Sequence, residues 1–148
     1  MKPLTPADLF ALTSTLVGPL WLLLIVSLFA VRPEPFVQWL ARIGLPLLFG
    51  SLYAAALLPR VPFETGGFGS LAEVRALFEN DWLLLAGCVH YLVFDFFVGA
   101  WIARDRVRVP RPLVVTCLIA CFLAGGRSAC MYLLLRGTLL ALERARAT

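Results

Sequence analysis

Most of this chain lies in apolar runs longer than a soluble fold needs. Residues 9–31 carry no charged side chain, and about 20 apolar residues suffice for a helix to cross ~30 Å of hydrocarbon. Comparable runs fill 36–58, 82–103 and 113–135. Arg32-Pro33-Glu34-Pro35, Pro59-Arg60-Val61-Pro62 and the basic stretch 104–112 separate them. In lipid every backbone polar group must bond within the protein, which leaves helices and closed barrels as spanning structures. Long apolar runs without strict alternation read as helices. The expectation is an all-α polytopic membrane protein, a single domain over residues 1–148. It has four transmembrane helices, at about 8–31, 36–58, 82–103 and 113–135, plus a short interfacial helix at about 70–79.

Composition supports this class. The chain is 61% hydrophobic and 15% charged, with a mean hydropathy of +0.89, whereas soluble domains carry about 25% charged residues. The net charge of +4 does not indicate nucleic acid. The arginines stand at the ends of apolar runs, where membrane proteins carry them, and no soluble face interleaves aromatic and basic residues. Membrane lipid is the expected surrounding. Cys88, Cys117, Cys121 and Cys130 fall inside the runs without a CxxC spacing, so they read as small apolar filler, with no disulfide framework and no metal site. No cofactor is expected, and nothing specifies an oligomeric state. The opening MKPLTPADLF lacks the tripartite pattern of a signal peptide, so the first run reads as a retained span.

Local signals place the helix ends. Thr5 suits an N-cap, Pro6 a first helical position and Asp8 the positive end of the helix dipole. Pro19 and Pro46 should bend their helices, since each removes a backbone bond. Ser70-Leu71-Ala72-Glu73 matches a capping box. Leu71, Val74, Leu77 and Phe78 then form one face of a helix at the membrane surface. The preceding Gly66-Gly67-Phe68-Gly69 reads as a hinge or lid. Trp21, Trp39, Trp82 and Trp101 read as an interfacial belt, with Trp82 and Trp101 also suited to floor a pocket. Four spans put both chain ends on one side, where the Lys and Arg counts of the two sides tie. The tight basic loop after the third span then favours that loop as cytoplasmic.

The third run contains CVHYLVFDFFVGAW (88–101), with the only histidine of the chain and an aspartate. A charge at the bilayer centre costs roughly 2.5–3.5 kcal/mol on insertion scales. On a helix, Gly87, Tyr91, Asp95, Gly99 and Ala103 form one stripe of i, i+4 neighbours. Small residues there let another helix approach. His90, Phe94, Phe97 and Trp101 form an adjacent aromatic stripe. His90 and Asp95 lie about 140° apart around the helix, so they do not bond each other but can border one cavity. Two readings stand: acid/base or proton-transfer work by His90 and Asp95, or helix adhesion. In the second, Asp95 pairs with Arg127 or bonds Tyr91 and Ser128.

The run GGFGSLAEVRALFENDWLLLAGCVHYLVFDFFVGAWIARD (66–105) resembles the plant abscisic-acid-deficiency-four family of membrane proteins, chloroplast proteins implicated in neoxanthin formation, with bacterial relatives. HYLxFDxFVGxWIARD is its specific part, and the likeness extends to LTPADLF with Trp21 and to YLLLR (132–136). Two departures stand out. Thr13-Ser14 occupies a place where the family favours an asparagine, and LAGGRSACMYLLLR replaces a pattern like FGPVGLLLYLLLR, so Arg127 is atypical. The resemblance implies carotenoid-related chemistry. Opening an epoxide to an allene needs an acid at the oxygen and a base at a ring-adjacent proton, with no net redox change. Under it, His90, Asp95 and Tyr91 are the catalytic candidates. Phe94, Phe97, Trp101 and Arg127 are the substrate-binding candidates, with a carotenoid or isoprenoid as ligand. The expectation is a redox-neutral isomerase, multi-pass in a bacterial inner membrane. The alternatives are a non-catalytic pigment- or partner-binding component and a small transporter or proton pathway.

Overall fold

The computed structural model describes residues 4–29, 39–105 and 109–147, without the side chains of residues 41, 42 and 147. All regular structure among the described residues is helical. Helix α1 (Pro6–Ser27) starts where the sequence places it. Thr5 Oγ1 accepts the Asp8 N–H (3.2 Å), while the Asp8 carboxylate accepts the Thr5 N–H (3.1 Å), closing a capping box. Pro19 sits inside the helix, which continues to Ser27.

Helix α2 (Leu45–Leu57) follows a π-helical segment, Leu40–Gly44, and runs on into a 3-10 turn, Leu58–Arg60. Pro46 lies in the first turn of α2, where a missing N–H costs least. Upstream, the Leu45 N–H reaches the carbonyl of Leu40. Arg60 closes the helix end by donating to the Ala56 carbonyl (2.8 Å), and its guanidinium lies 4.5 Å from the Trp82 ring centroid.

Helix α3 (Leu71–Leu77) is the expected surface helix, slightly shorter than 70–79. Ser70 accepts the Glu73 N–H as predicted, but the Glu73 carboxylate reaches one residue further back, to the Gly69 N–H (3.0 Å). The Gly67 N–H bonds the Glu73 carbonyl. Gly66 has φ +81°, and a Cβ there would collide with the backbone of Glu73 and Leu77. The glycines thus clamp the loop to α3, in place of the hinge or lid expected.

Helix α4 (Asp81–Arg104) is capped by Asn80, whose side chain accepts the Trp82 and Leu83 N–H groups. It is central to the molecule. Phe10 and Cys88 line one groove near its start. Further along, Trp21 packs against Phe96, with ring centroids 5.7 Å apart. Helices α1 and α4 therefore run parallel. Helix α2 runs antiparallel to them, since Tyr53 meets His90 and Arg60 meets Trp82.

The last apolar run is two helices, α5 (Arg111–Ala124) and α6 (Ser128–Ala147), joined by a 3-10 turn at Gly125–Arg127. The chain reverses there. Cys121 on α5 and Gly126 in the turn both bond Asp95, at mid-length of α4. Tyr132 and Arg136 on α6 instead reach Asp105, beyond its C-terminal end. A straight helix from 111 to 147 could not meet both. At about 1.5 Å per residue, the 14 residues of α5 cover only about 21 Å. The hairpin enters from the Asp105 end, turns at the depth of Asp95 and leaves by the same end.

Two expectations change. Three helical runs are long and apolar enough to cross a membrane, Pro6–Ser27, Asp81–Arg104 and Arg111–Arg146, and the described part of the expected second span, Leu45–Arg60, is shorter. Residues 36–38 of that span lie outside the described residues. The expected fourth span, 113–135, is not one straight helix, because Gly125 adopts φ +74°, ψ −170°, backbone that essentially only glycine takes. As a result α1 begins at one end of the bundle and α6 finishes at the other, opposite to the expectation that both lie on one side.

The core lies where α1, α4, α5 and α6 meet. Trp21, Leu24, Val89, Val114, Cys117, Leu118, Cys121 and Tyr132 are all buried in it. Trp21 corrects the interfacial-belt reading. It is 4% exposed, and a Cβ on Gly99 would sit 2.6 Å from its ring. Gly99 of the small-residue stripe thus seats Trp21 and Leu24 of α1 on α4.

Candidate functional site

Asp95 is held between α4 and the hairpin tip. Its Oδ1 accepts the Gly126 N–H at 2.7 Å. Where a helix breaks inside an apolar bundle, the freed backbone N–H groups need acceptors, and this carboxylate supplies one. The tip is also bonded within itself, as Ser128 Oγ donates to the Gly125 carbonyl (3.0 Å). Gly125 is required by its positive φ, and a Cβ there would stand a tight 3.2 Å from both Asp95 oxygens. Cys121 Sγ donates to the Asp95 carbonyl at 3.5 Å.

This answers the pairing question against the sequence reading. Arg127 is exposed on the turn and forms no ion pair with Asp95. Tyr91 is 70% exposed, and Ser128 is engaged with Gly125. The adhesive partner of Asp95 is the backbone N–H of Gly126, which a reading of side chains alone passes over. The readable signal was the Gly-Gly pair inside an apolar run, a common mark of a break.

His90 faces elsewhere. It is exposed and stacks obliquely on Tyr53 of α2, with ring centroids 5.6 Å apart. His90 and Asp95 therefore have neighbours on different helices, α2 and the hairpin. Of the aromatic stripe, Phe94 lies beside Gly126 and is exposed, as is Phe97. Trp101 stacks edge-on against Tyr132, with centroids 5.7 Å apart.

A groove lies at the start of α4. Its volume is about 440 Å3, and its walls are Phe10 and Ser14 of α1, Phe78 after α3, and Leu84, Gly87, Cys88, Tyr91 and Leu92 of α4. Phe10, Leu84 and Cys88 continue into a second hollow of about 320 Å3 that reaches Pro6 and Asp81. Gly87 makes room for the Phe78 ring, which would stand 3.0 Å from a Cβ there. Tyr91 is the one predicted site residue on this wall.

A third cluster went unread. Asp105 accepts the Tyr132 hydroxyl (3.3 Å) and pairs with Arg136 Nε (3.0 Å). Tyr132 is fully buried. All three belong to the stretches that carry the resemblance, WIARD and YLLLR, whose meeting is visible only in three dimensions.

A family model described as ABA DEFICIENT 4-like matches residues 8–132. No curated protein and no solved structure matches the chain.

Proposed function

Because this chain belongs to the ABA DEFICIENT 4-like family, we propose that it is a multi-pass membrane protein that binds a long apolar isoprenoid, of carotenoid type, in the Phe10–Tyr91 groove. The groove carries this reading. It is walled by Phe10, Phe78, Leu84 and Leu92, with a tyrosine on its rim, the arrangement of apolar wall and few polar anchors that suits such ligands. It lies on the family's most recognisable segment. In this reading α2, with the helical turns ahead of it, makes a third crossing beside α1 and α4. The hairpin is re-entrant, and the membrane is a bacterial inner membrane.

Catalysis is the second reading. A redox-neutral isomerisation of a carotenoid epoxide protonates the epoxide oxygen, breaks its C–O bond and removes a carbon-bound proton. In support, Tyr91 of the expected catalytic residues lines the groove, whereas His90 faces Tyr53 of α2. The engagement of Asp95 with Gly126 weighs against Asp95 as the acid.

The test is expression in a host that makes violaxanthin, with pigments extracted from cells and from the purified protein. Binding predicts a polyene absorption band on the wild type that Gly87→Leu, which fills the groove, removes, while Asp95→Asn keeps it. A wild type that purifies without polyene refutes the binding reading. Appearance of neoxanthin that is lost with Tyr91→Phe or His90→Ala establishes catalysis.

A further inference from the structure

The hairpin redistributes the charge of the whole molecule. Because α6 leaves at the Asp105 end, Arg136, Arg144 and Arg146 join Arg104 and Arg111 there. All five are described, and all but the half-buried Arg136 are exposed. Against these five stand two described carboxylates, Asp105 and Glu143, and Asp105 is engaged by Arg136. Among the described residues the opposite end carries Arg60 and Arg75 against five carboxylates: Asp8, Glu64, Glu73, Glu79 and Asp81. Of these two, Arg60 is turned back onto the Ala56 carbonyl and the Trp82 ring. With four straight spans the two sides tie; with the hairpin the described cations stand five at the Asp105 end and two at the other.

We infer that the Asp105 end is the cytoplasmic end of the bundle and contacts anionic phospholipid headgroups through Arg104, Arg111, Arg144 and Arg146. Lys and Arg near span ends set membrane orientation and stay on the cytoplasmic side. The anionic lipids of that leaflet attract juxtamembrane basic clusters. Arg136 meets Asp105 at the end of α4, so the later turns of α6 place Arg144 and Arg146 beyond that end. The α1 start, the α3 surface helix and the groove then face the opposite side of the membrane, and the two ends of the chain lie on opposite sides.

The test uses the full chain. Green fluorescent protein, which fluoresces when left in the cytoplasm, or alkaline phosphatase, active only once exported, is fused after Thr148. In a second preparation, Glu64→Cys is labelled in intact cells with a membrane-impermeant maleimide, with the wild type as background. The expected result is a fluorescent fusion, an inactive phosphatase and a labelled Cys at position 64. Both positions on one side overturns the hairpin topology, and a labelled position 64 is then no support. An active phosphatase with an unlabelled position 64 overturns the cytoplasmic assignment. For the lipid contact, the purified protein is heated with phosphatidylglycerol, with phosphatidylcholine of the same chains, or with inorganic phosphate. Phosphatidylglycerol alone should raise the midpoint, and the combined change of Arg104, Arg111, Arg144 and Arg146 to Gln should abolish the rise. Equal midpoints with the two lipids, or a rise with phosphate alone, overturns the headgroup contact.

Discussion

Asp95 and Asp105 both stand on α4, and both hold the same hairpin, by different chemistry. Asp95 meets the hairpin at its turn and accepts a backbone N–H. Asp105 meets it at the open end and accepts side chains, the Tyr132 hydroxyl and the Arg136 guanidinium. The first contact satisfies a group that the fold itself exposes by breaking a helix. The second adds an ion pair in a place that water reaches. A carboxylate inside an apolar bundle is thus explained by a backbone defect opposite it, without a counter-charge.

The difference makes the turn the costlier region to disturb. Gly125→Ala puts a side chain on glycine-only backbone and against the Asp95 oxygens, and should cost about 3 kcal/mol, read by detergent-induced unfolding. Asp95→Ala leaves the Gly126 N–H without its acceptor, a loss of about 2 kcal/mol. Asp95→Asn keeps a carbonyl oxygen and should recover most of it. An Asn variant as damaged as the Ala variant would show that the charge, and not the acceptor, matters at Asp95. At the open end Tyr132→Phe should cost about 1 kcal/mol. Smallest is Arg136→Gln. The side chains of Arg136 and Asp105 are 41% and 26% exposed, so the pair is worth at most about 0.5 kcal/mol, and its contribution should fade with added salt. Equal losses at the two aspartates would erase the distinction.

Much of the local structure was legible. Thr5, Pro6 and Asp8 start α1, and Ser70 and Glu73 cap α3, because capping depends on residues three apart. The stripe from Gly87 to Ala103 was legible as a face for helix approach, since small side chains at i, i+4 spacing set how closely a neighbour can come. What it receives, Trp21 on Gly99 and Gly126 at Asp95, was not. Tryptophans in membrane proteins usually sit at the interface, and only packing against Phe96 and Phe122 makes Trp21 core. Arg127 drew the eye as a partner for Asp95 because charge is visible in a sequence and a backbone N–H is not.

By itself the sequence determined that this is a helical protein built from apolar segments, where most of those segments begin, and which family it belongs to. Hydropathy, proline and caps act within a few residues, and a motif is a string. The tertiary structure decided that the last apolar run folds back on itself, that Asp95 serves its turn, that His90 and Asp95 meet different helices, and that the arginines gather at one end. Those outcomes depend on contacts between residues 26–37 positions apart, and on whether a Gly-Gly pair bends or continues a helix. That choice is settled by what stands opposite it.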